Sequence, residues 1–222
     1  MSVFENPELF AISADAKPRF VTVAPGVPAV IVDDFYRHPR LVRQAALSLP
    51  FGPPTALYPG RMTQFPSNFV SLNQAVSWIK NLVDRELLTK IELMNGGKRV
   101  TAFGRVDTDF AVVDTPPEDL LPAQRGPHVD HVPIFGLVYL NEVERGGTAF
   151  FQRRHNAQDP ERQGYFRETD DVFQKTGRIE GRFNRLAIYP GFIWHSAEIG
   201  DWIKSDERRT APRLTQRLVF HE

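Results

Sequence analysis

The chain carries six histidines, His38, His128, His131, His155, His195 and His221. A lone histidine is more often a hydrogen-bonded or surface residue than a ligand, but two of these six have company that changes the balance. In the stretch GPHVDHV, His128 and Asp130 are two positions apart. On extended backbone, residues i and i+2 project from the same face. An imidazole and a carboxylate then aim at one point, as two cis ligands of an octahedral metal must. His131 falls on the opposite face and is the first substitute. In YPGFIWHS, His195 lies just beyond a strand and a Pro–Gly turn, 67 positions after His128. One further imidazole on the same side completes a two-histidine, one-carboxylate facial triad. Such a triad leaves coordination positions open and is the expected setting of non-haem Fe(II) oxygenases. His128, Asp130 and His195 are therefore expected both as metal ligands and as the catalytic centre. The absence of cysteine excludes disulfides, thiolate metal sites and cysteine nucleophiles.

These three side chains need a frame. The first twenty residues look irregular or extended, and the apolar run Ala29–Val32, between Pro28 and Asp33, predicts a strand. Leu41, Val42, Ala45, Ala46 and Leu49 have helical spacing, with Pro50 as a stop. Leu72, Ala75, Val76, Ile79, Leu82, Val83 and Leu87 form a longer stripe that Ser71 is placed to cap. Both stripes need a partner surface, and a sheet is the natural one. Beyond Gly96–Gly97, residues 99–113 are rich in β-branched and aromatic types. Pro116, Pro117, Pro122 and Pro127 then punctuate a loop. Strand-like runs follow at 134–140, 148–151, 183–189 and 213–220, separated by Gly146–Gly147 and Pro190–Gly191. The charged stretch 153–181, with Gly164 and Gly177, is expected to be an insertion over one end of the frame. Helices followed by many short strands predict one mainly-β domain, a barrel or sandwich backed by helices.

Composition fits that picture. Of 222 residues, 41% are hydrophobic and seventeen are Phe, unlike a disordered chain. Lys+Arg and Asp+Glu both number 27, so the basic excess that nucleic-acid binding favours is missing. Arg153–Arg154 and Arg208–Arg209 are expected on solvated loops. The N-terminus lacks a basic start followed by an apolar run, and no apolar stretch approaches the ~20 residues of a membrane span. A soluble, cytoplasmic protein without nucleic-acid or membrane partners is expected.

Four segments in order, HVD, GLVYLNEVERGGTAFF, NRLAIYPGFIWHS and PRLTQRLVF, resemble the 2-oxoglutarate/Fe(II) oxygenases of the prolyl-hydroxylase-like branch, and within it an uncharacterised bacterial subfamily. The likeness covers about residues 103–220, and more loosely PAVIVDDFYRHPRLVRQAAL near the front. It implies a double-stranded β-helix, the jelly-roll, cupin-like barrel. It implies Fe(II), 2-oxoglutarate as co-substrate and O2, with His128, Asp130 and His195 on the iron. Arg213 matches the arginine that holds the far carboxylate of 2-oxoglutarate, and Thr215 its hydroxyl partner. Strand alternation agrees: Arg213, Thr215, Arg217 and Val219 share one face of the last strand, and Leu214, Gln216, Leu218 and Phe220 the other. A guanidinium facing inward needs an anion, and a carboxylate matches its fork of donors. Arg217, about 13 Å along the strand, is the rival anchor. Tyr139 and Asn141 share a face and reach toward the co-substrate or into packing; Trp194 is expected to pack. The implied reaction is hydroxylation of a small polar metabolite or of an amino-acid or peptide side chain, with release of succinate and CO2. The resemblance permits a homodimer. Two rivals stand beside it. One is a cupin-like metalloenzyme, such as a dioxygenase or isomerase that uses no 2-oxoglutarate. The other is a non-catalytic ligand-binding barrel.

Overall fold

A computed structural model describes residues 6–53, 58–64, 70–95, 97–154, 161–166, 168–199 and 212–222. His155, Arg208 and Arg209 lie outside these residues. Twelve strands and two α-helices are described, with short 3-10 turns at Pro117–Asp119 and Pro122–Gln124: β1 (Pro18–Ala24), β2 (Val27–Val32), α1 (Pro39–Ser48), β3 (Arg61–Met62), α2 (Val70–Glu86), β4 (Met94–Asn95), β5 (Lys98–Arg99), β6 (Arg105–Val113), β7 (Ile134–Tyr139), β8 (Thr148–Arg153), β9 (Phe173–Ile179), β10 (Arg185–Pro190), β11 (His195–Ala197) and β12 (Arg213–His221). The fold is mainly β, as expected. A seven-stranded sheet has the order β1-β2-β10-β7-β12-β6-β3, and a three-stranded sheet the order β11-β8-β9. Every pairing in both is antiparallel. Among the described residues no ladder joins the two sheets, so they form two stacked layers and no closed barrel.

Period-two alternation decides what each strand face touches. Val30, Val32, Phe110, Val112, Val138, Leu186, Leu214, Leu218 and Phe220 point outward from the large sheet. There they meet the buried stripes Val42, Ala45 and Ala46 of α1 and Leu72, Ala75, Ile79, Leu82 and Val83 of α2. Pro39, at the first position of α1, lacks only an N–H that the helix leaves unpaired there. Ser71 stands inside α2 and not at its cap, since Val70 is already helical. The residues in between, Ala29, Ile31, Phe135, Leu137, Tyr139, Ala187 and Tyr189, point inward and pack against Phe150 and Ile179 of the small sheet. Fully burying one such large side chain contributes roughly 1.5–3 kcal/mol, so this alternation fixes the register.

The expected insertion 153–181 is shorter than its composition suggested, because β9 occupies 173–179 and pairs with β8. Gly177 is not a turn there. A Cβ on it would come within 1.9 Å of the Val23 carbonyl oxygen, so glycine lets β1 cross close over β9. The residues before β9 lie against the loop that leads to His128. Tyr165 Oη donates to the Thr115 carbonyl at 2.8 Å, and Arg125 Nη1 donates to the Arg162 carbonyl at 2.7 Å. No described helix is long and apolar enough to cross a membrane.

Candidate metal centre

The inner face of the large sheet meets β11 at the point where the three predicted ligands converge. His128 and His195 form a two-bond backbone bridge, each N–H donating to the other's carbonyl at 2.9 Å. Asp130 N–H donates to the Gly191 carbonyl at 2.8 Å. The segment carrying His128 and Asp130 is thereby laid along the turn and strand that carry His195. Gly191 is needed for this approach, since a Cβ there would lie 2.6 Å from the Val132 carbonyl oxygen. One ligand atom each from His128, Asp130 and His195 lies within 4.8 Å of the others. His131, the substitute, is exposed and is not in the group.

The donor set fits a divalent cation. His195 Nδ1 stands 2.7 Å from the Ile193 carbonyl. A carbonyl only accepts, so Nδ1 carries a proton and Nε2 is the nitrogen turned inward. A ligating histidine typically holds a backbone carbonyl through its other nitrogen in this way. Nε2 lies 3.3 Å from Asp130 Oδ2, yet that oxygen is buried without a well-formed hydrogen bond. The two rings are 4.6 Å apart, centre to centre. His128 keeps an exposed edge but is crowded by protein elsewhere; burial, then repulsion from His195, pushes its pKa down to about 4. At neutral pH its ring is uncharged, as a ligand must be. Burial would raise the Asp130 carboxyl. The nearby His195 Nε2, His128 and Arg217 outweigh that and hold it below the usual range.

Deeper on the same face, Arg213 is 2% exposed. Its Nε donates to the Gly146 carbonyl at 2.9 Å and its Nη2 to the Gly147 carbonyl at 3.4 Å. The double glycine does more than turn the chain. Gly146 has φ +74°, and a Cβ on it would crowd Arg213 at 3.1 Å. No carboxylate pairs with Arg213 among the described residues. Two buried hydroxyls nearby, Thr215 Oγ1 and Tyr189 Oη, make no well-formed hydrogen bond, although the Tyr58 and Thr148 side chains stand beside them. Tyr139 is engaged in packing and in a 2.7 Å hydrogen bond with Thr148. Asn141 accepts from the Leu214 N–H at 2.7 Å and so ties β12 to the end of β7. Arg217 is paired instead, its Nε and Nη2 donating to Asp109 at 2.7 and 2.5 Å. Trp194 packs 5.0 Å from Phe173, as expected. Tyr58, Asp109, Thr148 and Tyr189 were not singled out by sequence. Only Asp109 had a signal, its place opposite Arg217 once β6 and β12 are put in register.

A family model matches residues 14–162 and 152–220. The chain belongs to DUF6445, a family of unknown function. The description of DUF6445 names no chemistry, so what its members do is argued from the site. No curated protein matches the chain.

Proposed function

We propose that the protein is a 2-oxoglutarate- and Fe(II)-dependent oxygenase that hydroxylates a small polar metabolite or an amino-acid or peptide side chain. The observation that carries this is a juxtaposition. A His–Asp–His triad and a deeply buried arginine without a carboxylate partner among the described residues share one inner face. An unpaired buried charge costs several kcal/mol, and a carboxylate would satisfy both the guanidinium and the neighbouring hydroxyls. A molecule with a carboxylate at its far end and metal-chelating oxygens at the other answers both halves of the site. The strand orders support a double-stranded β-helix. The chain passes from β7 in the large sheet to β8 and β9 in the small one, back to β10, across to β11 and back to β12. The His128 segment extends the small sheet at the β11 edge.

In this reading His128, Asp130 and His195 hold Fe(II), Arg213 grips the remote carboxylate and Thr215 donates to it. Iron with 2-oxoglutarate and O2 supplies oxidative decarboxylation coupled to insertion of one oxygen atom into a substrate C–H bond, leaving succinate and CO2. The protein positions the reactants and keeps the pocket dry. His195, fixed through Ile193, cannot rotate its lone pair away. Phe135 and Tyr189, with ring centres 6.3 and 5.3 Å from His195, shield that ring from water. The test is an anaerobic calorimetric titration of 2-oxoglutarate into Mn(II)-loaded protein. Arg213→Gln is expected to weaken binding about 30-fold or more, from the ~2–5 kcal/mol lost with one partner of a buried charge pair, while Mn(II) binding persists. Equal affinity in wild type and variant would place the anion elsewhere. Metal binding with no 2-oxoglutarate binding would favour the cupin-like alternative.

A further inference from the structure

The Arg217–Asp109 pair is the part of the inner face that the co-substrate leaves unused. These two residues sit directly opposite each other on β12 and β6. Val219 and Thr215, their neighbours on the same face, turn toward the small-sheet side, whereas Leu218 and Gln216 turn toward the helices. Arg217 and Asp109 are each just over a fifth exposed as side chains, unlike the sealed Arg213. They therefore stand between the buried Arg213 and the open end of the sheet, where Asp107 pairs with Arg105 and His221. Arg217 is held rigidly, with two nitrogens on Asp109 and its guanidinium 5.7 Å over the Tyr58 ring. Its third nitrogen, Nη1, has no partner among the described residues. The Asp109 oxygens accept one hydrogen bond each from Arg217, which leaves lone pairs free. Val219, on the same face as Arg217, is paired with Phe135, whose ring centre is 6.3 Å from that of His195, so this face runs toward the His128–Asp130–His195 group.

We propose that the Arg217–Asp109 pair is the substrate anchor and selects a free α-amino acid, with Nη1 of Arg217 taking its carboxylate and Asp109 its ammonium. The assignment rests on the oxygenase reading and names the substrate class for the same site. A fixed guanidinium and carboxylate side by side present alternate charges, and a zwitterion of reversed order is their complement. A solvated cross-strand ion pair would show a similar Arg–Asp contact and contributes only ~0–1 kcal/mol. It would have no reason to face inward toward the His128–Asp130–His195 group with a donor left open among the described residues.

The twenty free L-amino acids are titrated calorimetrically into full-length, Mn(II)-loaded protein under nitrogen, with and without saturating 2-oxoglutarate. The tightest binder is then compared with its carboxamide and its N-acetyl derivative. Each derivative is expected to bind at least tenfold more weakly than the free acid. In Arg217→Gln the acid is expected to lose tenfold or more while the carboxamide is unchanged, and in Asp109→Asn the N-acetyl derivative is the one unaffected. This crossed pattern is what a merely structural pair cannot produce. Parallel loss of acid and carboxamide in Arg217→Gln, or no preference for the free acid in wild type, overturns the proposal. A failure of 2-oxoglutarate itself to bind is read in its own titration and overturns the parent reading. The acid–carboxamide contrast, measured also without 2-oxoglutarate, still decides the anchor.

Discussion

At the scale of single residues, the site depends on which nitrogen faces inward and which charge lacks a partner. The Ile193 carbonyl engages His195 Nδ1 and leaves Nε2 facing the group, and His128, neutral at physiological pH, offers a lone pair without first losing a proton. Removal of one ligand leaves two donors, too few to hold a divalent ion at micromolar concentration. His128→Ala, Asp130→Ala and His195→Ala are each expected to abolish stoichiometric Mn(II) binding by calorimetry, while His131→Ala binds as wild type. Retained binding in Asp130→Ala would remove the carboxylate from the set. Of the residues argued from sequence, His128 and Asp130 were legible because i, i+2 projection on extended chain is a local property, and His195 because a Pro–Gly turn precedes it. The partner of Arg217 was not, because Asp109 lies 108 positions away and becomes a neighbour only through the β6–β12 register.

At the scale of elements, close backbone approaches hold neighbouring segments together, and that at Gly177 joins the two sheets. Gly191 admits the Val132 carbonyl beneath Asp130, Gly147 admits that of Ile179, and Gly177 admits that of Val23. A side chain at Gly177 cannot be absorbed by a rotamer change, because the obstacle is backbone. Gly177→Val is therefore expected to cost about 2–4 kcal/mol, at or above the usual range for overpacking, seen as a lowered urea midpoint. An unchanged midpoint would show that β1 does not cross β9 so closely. The helices and central strands could be read from sequence because their periods of 3.6 and 2 are carried by apolar residues with nothing to obscure them. The strand β9 was missed because Gln174, Lys175 and Arg178 are charged or polar and Gly177 mimics a turn. A register shift opposite Phe150 and Phe151 also breaks its alternation, so that its buried ends, Phe173 and Ile179, join different apolar clusters.

At the scale of the whole molecule, the front hairpin is tied to the sheet by charge as well as by apolar packing. Asp33, at the end of β2, accepts from Arg19 of β1 at 2.9 Å and from Arg185 Nε of β10 at 2.6 Å. Burial would raise its carboxyl, but the hydrogen bond and charge of Arg185, with Arg182 and Arg19, hold it below the usual value. A carboxyl depressed in the folded state contributes stability above its unfolded pKa of 3.8. That contribution is lost as the pH falls through the folded value. Asp33→Asn is expected to lower unfolding free energy by about 1–2 kcal/mol at pH 7, with the gap to wild type closing below pH ~4. A gap that persists in acid would assign the effect to packing. The fold, the triad and the buried arginine together support the proposal that the protein consumes 2-oxoglutarate on iron. Succinate formation from 2-oxoglutarate in air with added Fe(II), in wild type and in His128→Ala, tests that claim most directly. Slow succinate release is expected from wild type even without its substrate, and none from the variant. Wild-type protein that binds iron but neither binds nor turns over 2-oxoglutarate would contradict it.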